Sequence, residues 1–417
     1  MAVKINIESL GCRLNQSEIQ SVITVLKNRG HVITQREDAD IFIVNSCKVT
    51  LHSERKTRKL IYRAERASKK NARIIVTGCC ADKPERQGNI LFIPNDYKHL
   101  IPDIIDEIID VTDLIKFPPS RFSLPAPTAG TTTRINLKIQ DGCDNFCSYC
   151  IIPFTRGSAQ SKAMDVVLNE FNDLLDAGYR EIVLTGVMIG NYRHENADLA
   201  DLVSSLLEIP GEFRLHLASI SPAYVTERLI DVLDHDRMVR HLNLSLQSGS
   251  DKILERMNRG YTSSDYYRLV DKIKKKDRDF NLTTDVIVGF PGEGDDDFAE
   301  TMSLIRHAAF SHIHTFRFSP RPGTAAFESD DNVSEETKKE RSIKVIELYL
   351  KQKENYYMKF DGRESILLSE RSYNSRTRGF NEYYVPVEMD RALDRNKFIR
   401  IKTHAEPGAS RLRGSPL

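Results

Sequence analysis

Along the first three quarters of the chain, short apolar runs alternate with amphipathic stretches. Residues 3–10 (VKINIESL), 40–46 (DIFIVNS) and 72–78 (ARIIVTG) are rich in Val and Ile, and the helix-like segments NQSEIQSVITVLKNRG and SERKTRKLIYRAERASKK lie between them. This rhythm predicts a parallel sheet with helices on its faces, a first domain over residues 1–115. Residues 116–133 (KFPPSRFSLPAPTAGTTT) are dense in Pro, Ser and Thr without periodicity and read as a linker. Past them the alternation resumes with six candidate strands, RINLKIQ, EIVLTGV, EFRLHLASI, HLNLSLQS, LTTDVIVGF and HIHTFRFS. Six βα units over 134–360 make an incomplete relative of the eight-fold barrel. One long polar helix, from 335 to about 360, ends this region. Over 361–417 three strand-like runs, ESILLSE, FNEYYVPVEM and KFIRIKT, suit a small all-β module. The expected class is therefore α/β: an N-terminal parallel α/β domain, a central incomplete (β/α)6 barrel and a small C-terminal all-β barrel.

With 417 residues, 40% of them hydrophobic and 29% charged, the chain can build two or three cored domains and is not disordered. A formal net charge of +1 says nothing about a nucleic-acid partner, so any basic surface must be local. The N-terminus lacks the pattern of a secretory signal, and no apolar stretch approaches the ~20 residues that cross a bilayer. A cytoplasmic protein without a membrane partner is expected.

Seven cysteines, Cys12, Cys47, Cys79, Cys80, Cys143, Cys147 and Cys150, point in a reducing compartment to metal binding or catalysis more than to disulfides. Cys143, Cys147 and Cys150 are spaced C-x3-C-x2-C just after the first barrel strand, and such barrels form their sites at the C-terminal ends of strands. Structural zinc, the plain reading, closes a tetrahedron with four ligands, yet no Cys or His lies between Cys150 and His194. Three thiolates on a four-iron cluster would leave one iron open to a substrate's amino and carboxylate groups. Cys12, Cys47 and Cys79 each end a successive predicted strand, which brings them to one sheet edge. Three unrelated buried thiols remain the other reading.

QDGCDNFCSYC, with Tyr149 before the last Cys, resembles the radical S-adenosylmethionine (SAM) signature. That resemblance implies a 4Fe-4S cluster on Cys143, Cys147 and Cys150 that binds SAM and cleaves it to a 5′-deoxyadenosyl radical, with Tyr149 near the adenine. SLGCRLNQSE, DIFIVNSCKVT and IIVTGCCADKP resemble the N-terminal domain of the methylthiotransferases, and IQDGCDNFCSYCIIPFTRG, LSLQSGSDKILERMNRGYT and TDVIVGFPGE extend the likeness over nearly the whole chain. It implies a second, auxiliary 4Fe-4S cluster on Cys12, Cys47 and Cys79 with one iron open for sulfur. It also implies a flavodoxin- or ferredoxin-like reductant protein. Cys80 stands where the family more often has an aromatic residue, and reads as a packed thiol, with a redox role as the alternative. Gly186, ending the second barrel strand, is similar in place to backbone that holds the SAM amino group; a plain turn is the other reading. Gln247 and Ser248 end the fourth strand and Asp285 lies in the fifth, where cofactor contact and barrel packing are both open.

Residues 53–73 carry nine Lys or Arg against two Glu, a local charge of +7. A phosphate-binding helix and a solvated helix face both fit. Arg156, in IIPFTRG, is a substrate contact or a surface arginine. The C-terminal strands resemble the TRAM module, a small barrel related to RNA-binding folds. There RTRGFNEYYVPVEM sets Arg376, Arg378, Phe380, Tyr383 and Tyr384 together, the mix of cations and flat rings that stacks unpaired bases. The family resemblance implies methylthio transfer, in which one SAM methylates a sulfur at the auxiliary cluster and a second gives the radical. NSCKVT and GFNEYYVPVEM look most like the branch acting on N6-threonylcarbamoyladenosine beside the anticodon, which makes the tRNA anticodon stem-loop the expected partner. The alternatives are isopentenyladenosine in tRNA, an aspartate of a small-subunit ribosomal protein, and a noncatalytic iron-sulfur RNA-binding protein. The last is disfavoured by the presence of all six ligand cysteines. Radical dehydrogenation or plain methylation would leave the N-terminal trio unexplained.

Overall fold

In the computed structural model, which describes residues 2–35, 39–67, 72–129 and 132–417, the first ninety residues build one six-stranded sheet. Its strands are β1 (Lys4–Ser9), β2 (Val32–Thr34), β3 (Ile41–Ser46), β4 (Arg73–Gly78), β5 (Glu85–Gln87) and β6 (Ile90–Ile93), in the spatial order β2-β1-β3-β4-β6-β5. All neighbours are parallel except β5 and β6. Helices α1 (Arg13–Asn28) and α2 (Leu51–Ala67) supply the crossovers. Because both faces are covered, β3 is buried at every position, the continuous apolar strand of a parallel sheet. Ile5, Ile43 and Ile75 face one core with Val22 and Leu26 of α1; Phe42, Ile74 and Val76 face another with Ala64 of α2.

The stretch expected to be a linker is clamped. Phe117 and Leu124 pack on the first core, Ala126 joins the core of the barrel, and Arg121 Nη1 donates to Ser158 O at 2.7 Å. Residues 130 and 131 of that stretch lie outside the described ones.

All six barrel strands form: Arg134–Lys138, Glu181–Thr185, Arg214–Leu217, His241–Asn243, Asn281–Val288 and His312–Arg317. They make two parallel three-stranded sheets joined through the Ile220–Leu244 bridge. The α1 helix packs on the first of these strands, where Ser17 Oγ donates to Asn136 O at 2.8 Å. The long helix runs Glu335–Met358.

The C-terminal module corrects one expectation, because it has five strands rather than three. Glu364–Tyr373, Arg376–Phe380, Pro386–Met389, Leu412–Pro416 and Phe398–His404 close into a barrel in that order. The run FNEYYVPVEM is not one strand, since a turn with Tyr384 at φ +58° separates two of them. Among the described residues no helix is long and apolar enough to cross a membrane.

Candidate active site

Strand register brings the N-terminal thiols together. Ser9 pairs with Asn45 and Asn45 with Thr77, so Cys12, Cys47 and Cys79 leave adjacent strands at one edge. Cys12 is the N-cap of α1, and its side chain makes no capping bond. Cys47 and Cys79 are buried while Cys12 is exposed. Asn15 Nδ2 ties the three turns by donating to Leu10 O (3.1 Å) and Ser46 O (2.8 Å), and the Cys79 N–H donates to Ser46 O at 3.2 Å. Burial pushes the Cys47 thiol up, and the neighbouring Cys79 and Cys12 add to the rise. Cys80, partly buried, is pushed up by the same desolvation.

The second trio sits on the loop after the first barrel strand. Its start is a hairpin closed by Cys143 N–H donating to Gly157 O at 3.0 Å. Gly142, at φ +71°, is required there, because a Cβ would fall 1.9 Å from Ser158 O. Asn145 N–H points at Cys143 Sγ (3.5 Å) and Arg259 Nη1 at Cys147 Sγ (3.3 Å). Burial pushes the Cys143 thiol up despite the Asn145 bond, and pushes Cys150, beside the other two thiols, up to about 12. Among the described residues no three His, Cys, Asp or Glu converge closely enough to grip a single metal ion. Cysteine thiols are the donors that iron-sulfur clusters take, one thiolate to an iron.

A buried ion network joins the two trios. Glu18, on α1, accepts from Lys98 Nζ (2.6 Å), Lys138 Nζ (2.7 Å) and Arg156 Nη1 (3.0 Å). Asp141, two residues before Cys143, accepts from Lys138 (2.6 Å) and Arg156 (3.0 Å). Burial alone would raise both carboxyls, but Arg156 and Lys138 beside them hold both down, Glu18 well below the usual range. Arg156 is therefore corrected from substrate contact or surface residue to a buried junction residue. It is 3% exposed and fully engaged with Asn15, Glu18 and Asp141.

The candidate SAM contacts fall on the same end of the barrel with different environments. Tyr149 packs edge-on to Phe290 (6.4 Å), its hydroxyl 3.5 Å from Arg259 Nη1. Gly186 lies against the first strand, where a Cβ would come 2.8 Å from Gln140 O. Gln247, at φ +65°, bridges strands by donating its N–H to Asp285 O at 2.8 Å. Ser248 is buried, and its hydroxyl is tied to Thr301 Oγ1 (3.3 Å) and Ser250 N–H (3.2 Å), a packing role. Asp285 Oδ2 accepts from Asn243 (3.1 Å) and Ser245 (3.2 Å). Arg259, beside Cys147, was not singled out from sequence; a lone arginine in an Arg-rich chain carries no signal of its own.

The expected RNA contacts divide. Phe380 stacks on Tyr384 (4.6 Å, 22°) under the Arg134 guanidinium (4.2 Å), and Tyr383 packs on Phe360 (5.2 Å). Arg240 N–H donates to Glu382 O (2.8 Å), Asn281 Nδ2 to Tyr383 O (2.7 Å) and Arg214 Nη2 to Phe380 O (3.1 Å). These barrel residues begin or precede their strands, so the C-terminal module caps the barrel end opposite the thiol loop. Phe380 and Tyr383 are half-buried parts of this seam, and Phe380 also lines the cavity there. Arg376 and Arg378 stay half-exposed, and with Arg411 and Arg413 all four pair with the one buried carboxylate of Glu388, at 2.6–3.3 Å. A cavity of ≈ 940 Å³ at the seam is lined by Arg13, Arg134, Asn136, Glu370 and Arg378 among others. Of the basic run 53–73, Arg73 lies in β4 beside Glu107 (3.4 Å), Lys69 and Lys70 lie outside the described residues, and the rest stands on α2.

Comparison with known proteins agrees with this geometry. The model of the radical SAM superfamily matches residues 137–305, and that of the uncharacterized protein family UPF0004 matches residues 4–92. The threonylcarbamoyladenosine tRNA methylthiotransferase MtaB of Thermotoga maritima is 37% identical over 97% of this chain and 95% of its own length. The tRNA-2-methylthio-N(6)-dimethylallyladenosine synthase of Anaplasma marginale is 32% identical over 98% and 95%. Among solved structures, the radical S-adenosylmethionine methyltransferase TsrM from Kitasatospora setae shares the fold, with a TM-score of 0.52 at 13% identity, over 78% of this chain and 77% of that one.

Proposed function

The chain belongs to the radical-SAM methylthiotransferase family, and we propose that it adds a methylthio group to N6-threonylcarbamoyladenosine beside the anticodon of tRNA. The observation that carries this reading is the pair of thiol trios on either side of one buried ion network, which sets a second thiol site for the sulfur beside the radical-SAM loop. The similarity to curated threonylcarbamoyladenosine methylthiotransferases supports the choice of base. Cys143, Cys147 and Cys150 would hold the 4Fe-4S cluster that goes with SAM, and Cys12, Cys47 and Cys79 a second one. When bound, these groups would supply the carbon radical and an open iron to hold the sulfur. The chain's own residues position and shield. Arg259 sets a positive charge beside Cys147 Sγ, Tyr149 and Asp285 line the barrel near the thiol loop, and Glu18, Asp141 and Arg156 fix one trio relative to the other. A buried, preorganised arrangement of this kind holds the reacting groups together and keeps water from a radical.

Residues 1–115 form the methylthiotransferase domain, 116–133 the connecting stretch, 134–360 the radical-SAM domain and 361–417 the TRAM-like RNA-binding module. The tRNA anticodon stem-loop is the substrate, a flavodoxin- or ferredoxin-like protein the reductant, and the cytoplasm the compartment where both are met. Mass spectrometry of tRNA nucleosides from a strain lacking this protein tests the base. We expect 2-methylthio-N6-threonylcarbamoyladenosine to vanish and its unthiolated parent to remain. Persistence of the methylthio group on that base, with its loss from isopentenyladenosine instead, would overturn the assignment.

A further inference from the structure

Two phenylalanines stand in solvent beside the second thiol trio. Phe146, between Cys143 and Cys147, is 53% exposed, and Phe154, on the short helix Ile152–Arg156, is 62% exposed. Their ring centroids are 6.0 Å apart with the planes at 74°, so the two rings meet as a corner. Phe146 has φ +43°, a left-handed backbone that a bulky side chain adopts only under constraint. The constraint is visible. Asn258 Nδ2 donates to Asn145 O (3.0 Å) and Phe146 O (3.3 Å), and the Tyr224 hydroxyl donates to Asn145 Oδ1 (2.6 Å). A strained residue held by its surroundings so that an apolar ring faces water marks a contact surface rather than a packing accident.

A cationic helix is tied to the thiol loop through one intervening loop. Arg55, Lys56, Arg58 and Lys59 are exposed on the first half of α2. Glu54 anchors the start of that helix to Arg321 (3.0 Å), and the same loop returns to the thiol loop through Ala326 N–H donating to Ser148 O (2.7 Å). Open rings on a loop tied to the start of a basic helix bring together the two elements that bind unpaired nucleic acid, cations for the phosphates and flat rings for the bases. We propose that Phe146 and Phe154 form a stacking corner for an unpaired base of the RNA substrate, at the edge of the radical-generating loop. The inference rests on the RNA-modifying function proposed above.

Binding of a fluorescently labelled anticodon stem-loop to the reconstituted enzyme, read by anisotropy, tests it. Phe154→Leu keeps the apolar surface but removes the flat face, and is expected to weaken binding roughly tenfold, while Phe154→Trp stays within about twofold of the wild type. Phe146→Leu is expected to behave as Phe154→Leu does; its iron content is measured alongside, and Phe154 alone decides if that variant loses iron. Unchanged affinity in Phe154→Leu overturns the corner, and does so in favour of protein docking if electron delivery from flavodoxin falls instead. A wild-type enzyme with no affinity for the stem-loop would sink the RNA reading itself, and the corner with it.

Discussion

Cys12 holds the N-cap of α1, a position where Ser, Thr, Asp or Asn would accept a bond from the first turn. Its thiol makes no such bond, so the helix forgoes a cap and the sulfur stays free for another ligand. Departures of this kind from local preference gather at functional sites. The gathering of Cys12, Cys47 and Cys79 at one sheet edge was legible in the sequence because each follows a strand of the same parallel sheet. Arg156 was not, because its partner Glu18 lies 138 residues away and nothing local marks an arginine as buried. Removing that guanidinium leaves two buried carboxylates short of a partner. Arg156→Met is therefore expected to lower stability by about 3–5 kcal/mol in denaturant titrations. Cys80, whose backbone N–H donates to Ser46 Oγ (2.9 Å), belongs to neither proposed trio. Cys80→Ala should keep the full iron content, and loss of about half the iron would give that thiol a role.

Strands long enough to show their period were readable, and the six barrel strands were expected where they occur. β2, β5 and β6, of three or four residues, are too short to show alternation. The turn at Asn381–Tyr384 was hidden because aromatic residues that end one strand and line a seam look like one continuous apolar run. At that seam His216 Nε2 lies 2.8 Å from His241 Nδ1, and His216 Nδ1 lies 3.2 Å from Glu181 Oε1, with the Tyr384 ring 4.6 Å from His216. Burial lowers His216 from 6.5 to about 4 despite the carboxylate beside it. A histidine whose folded value lies below its unfolded value contributes stability that is present above pH 6.5 and lost as pH falls toward 4. Thermal melts should therefore drop across that window, and His216→Gln should flatten the drop. On the outer side of the same module, the Glu388 carboxylate gathers four half-exposed arginines. Arg411→Ala and Arg413→Ala are each expected to weaken stem-loop binding evenly across sequences and to reduce the salt slope by about one.

How the three modules sit on one another could not be read from the sequence, because every contact that fixes them joins residues far apart along the chain. The result is an order of layers. The C-terminal module closes one end of the barrel, the thiol loop and the basic helix share the other, and α1 carries the N-terminal trio to the junction through Glu18. By the function proposed above, each trio anchors its own four-iron cluster. Iron and sulfide analysis after anaerobic reconstitution tests this most directly. About eight irons per chain are expected in the wild type, falling to about four in the triple variant Cys12→Ala, Cys47→Ala, Cys79→Ala. A wild type that takes up only about four irons, unchanged in the triple variant, would contradict it.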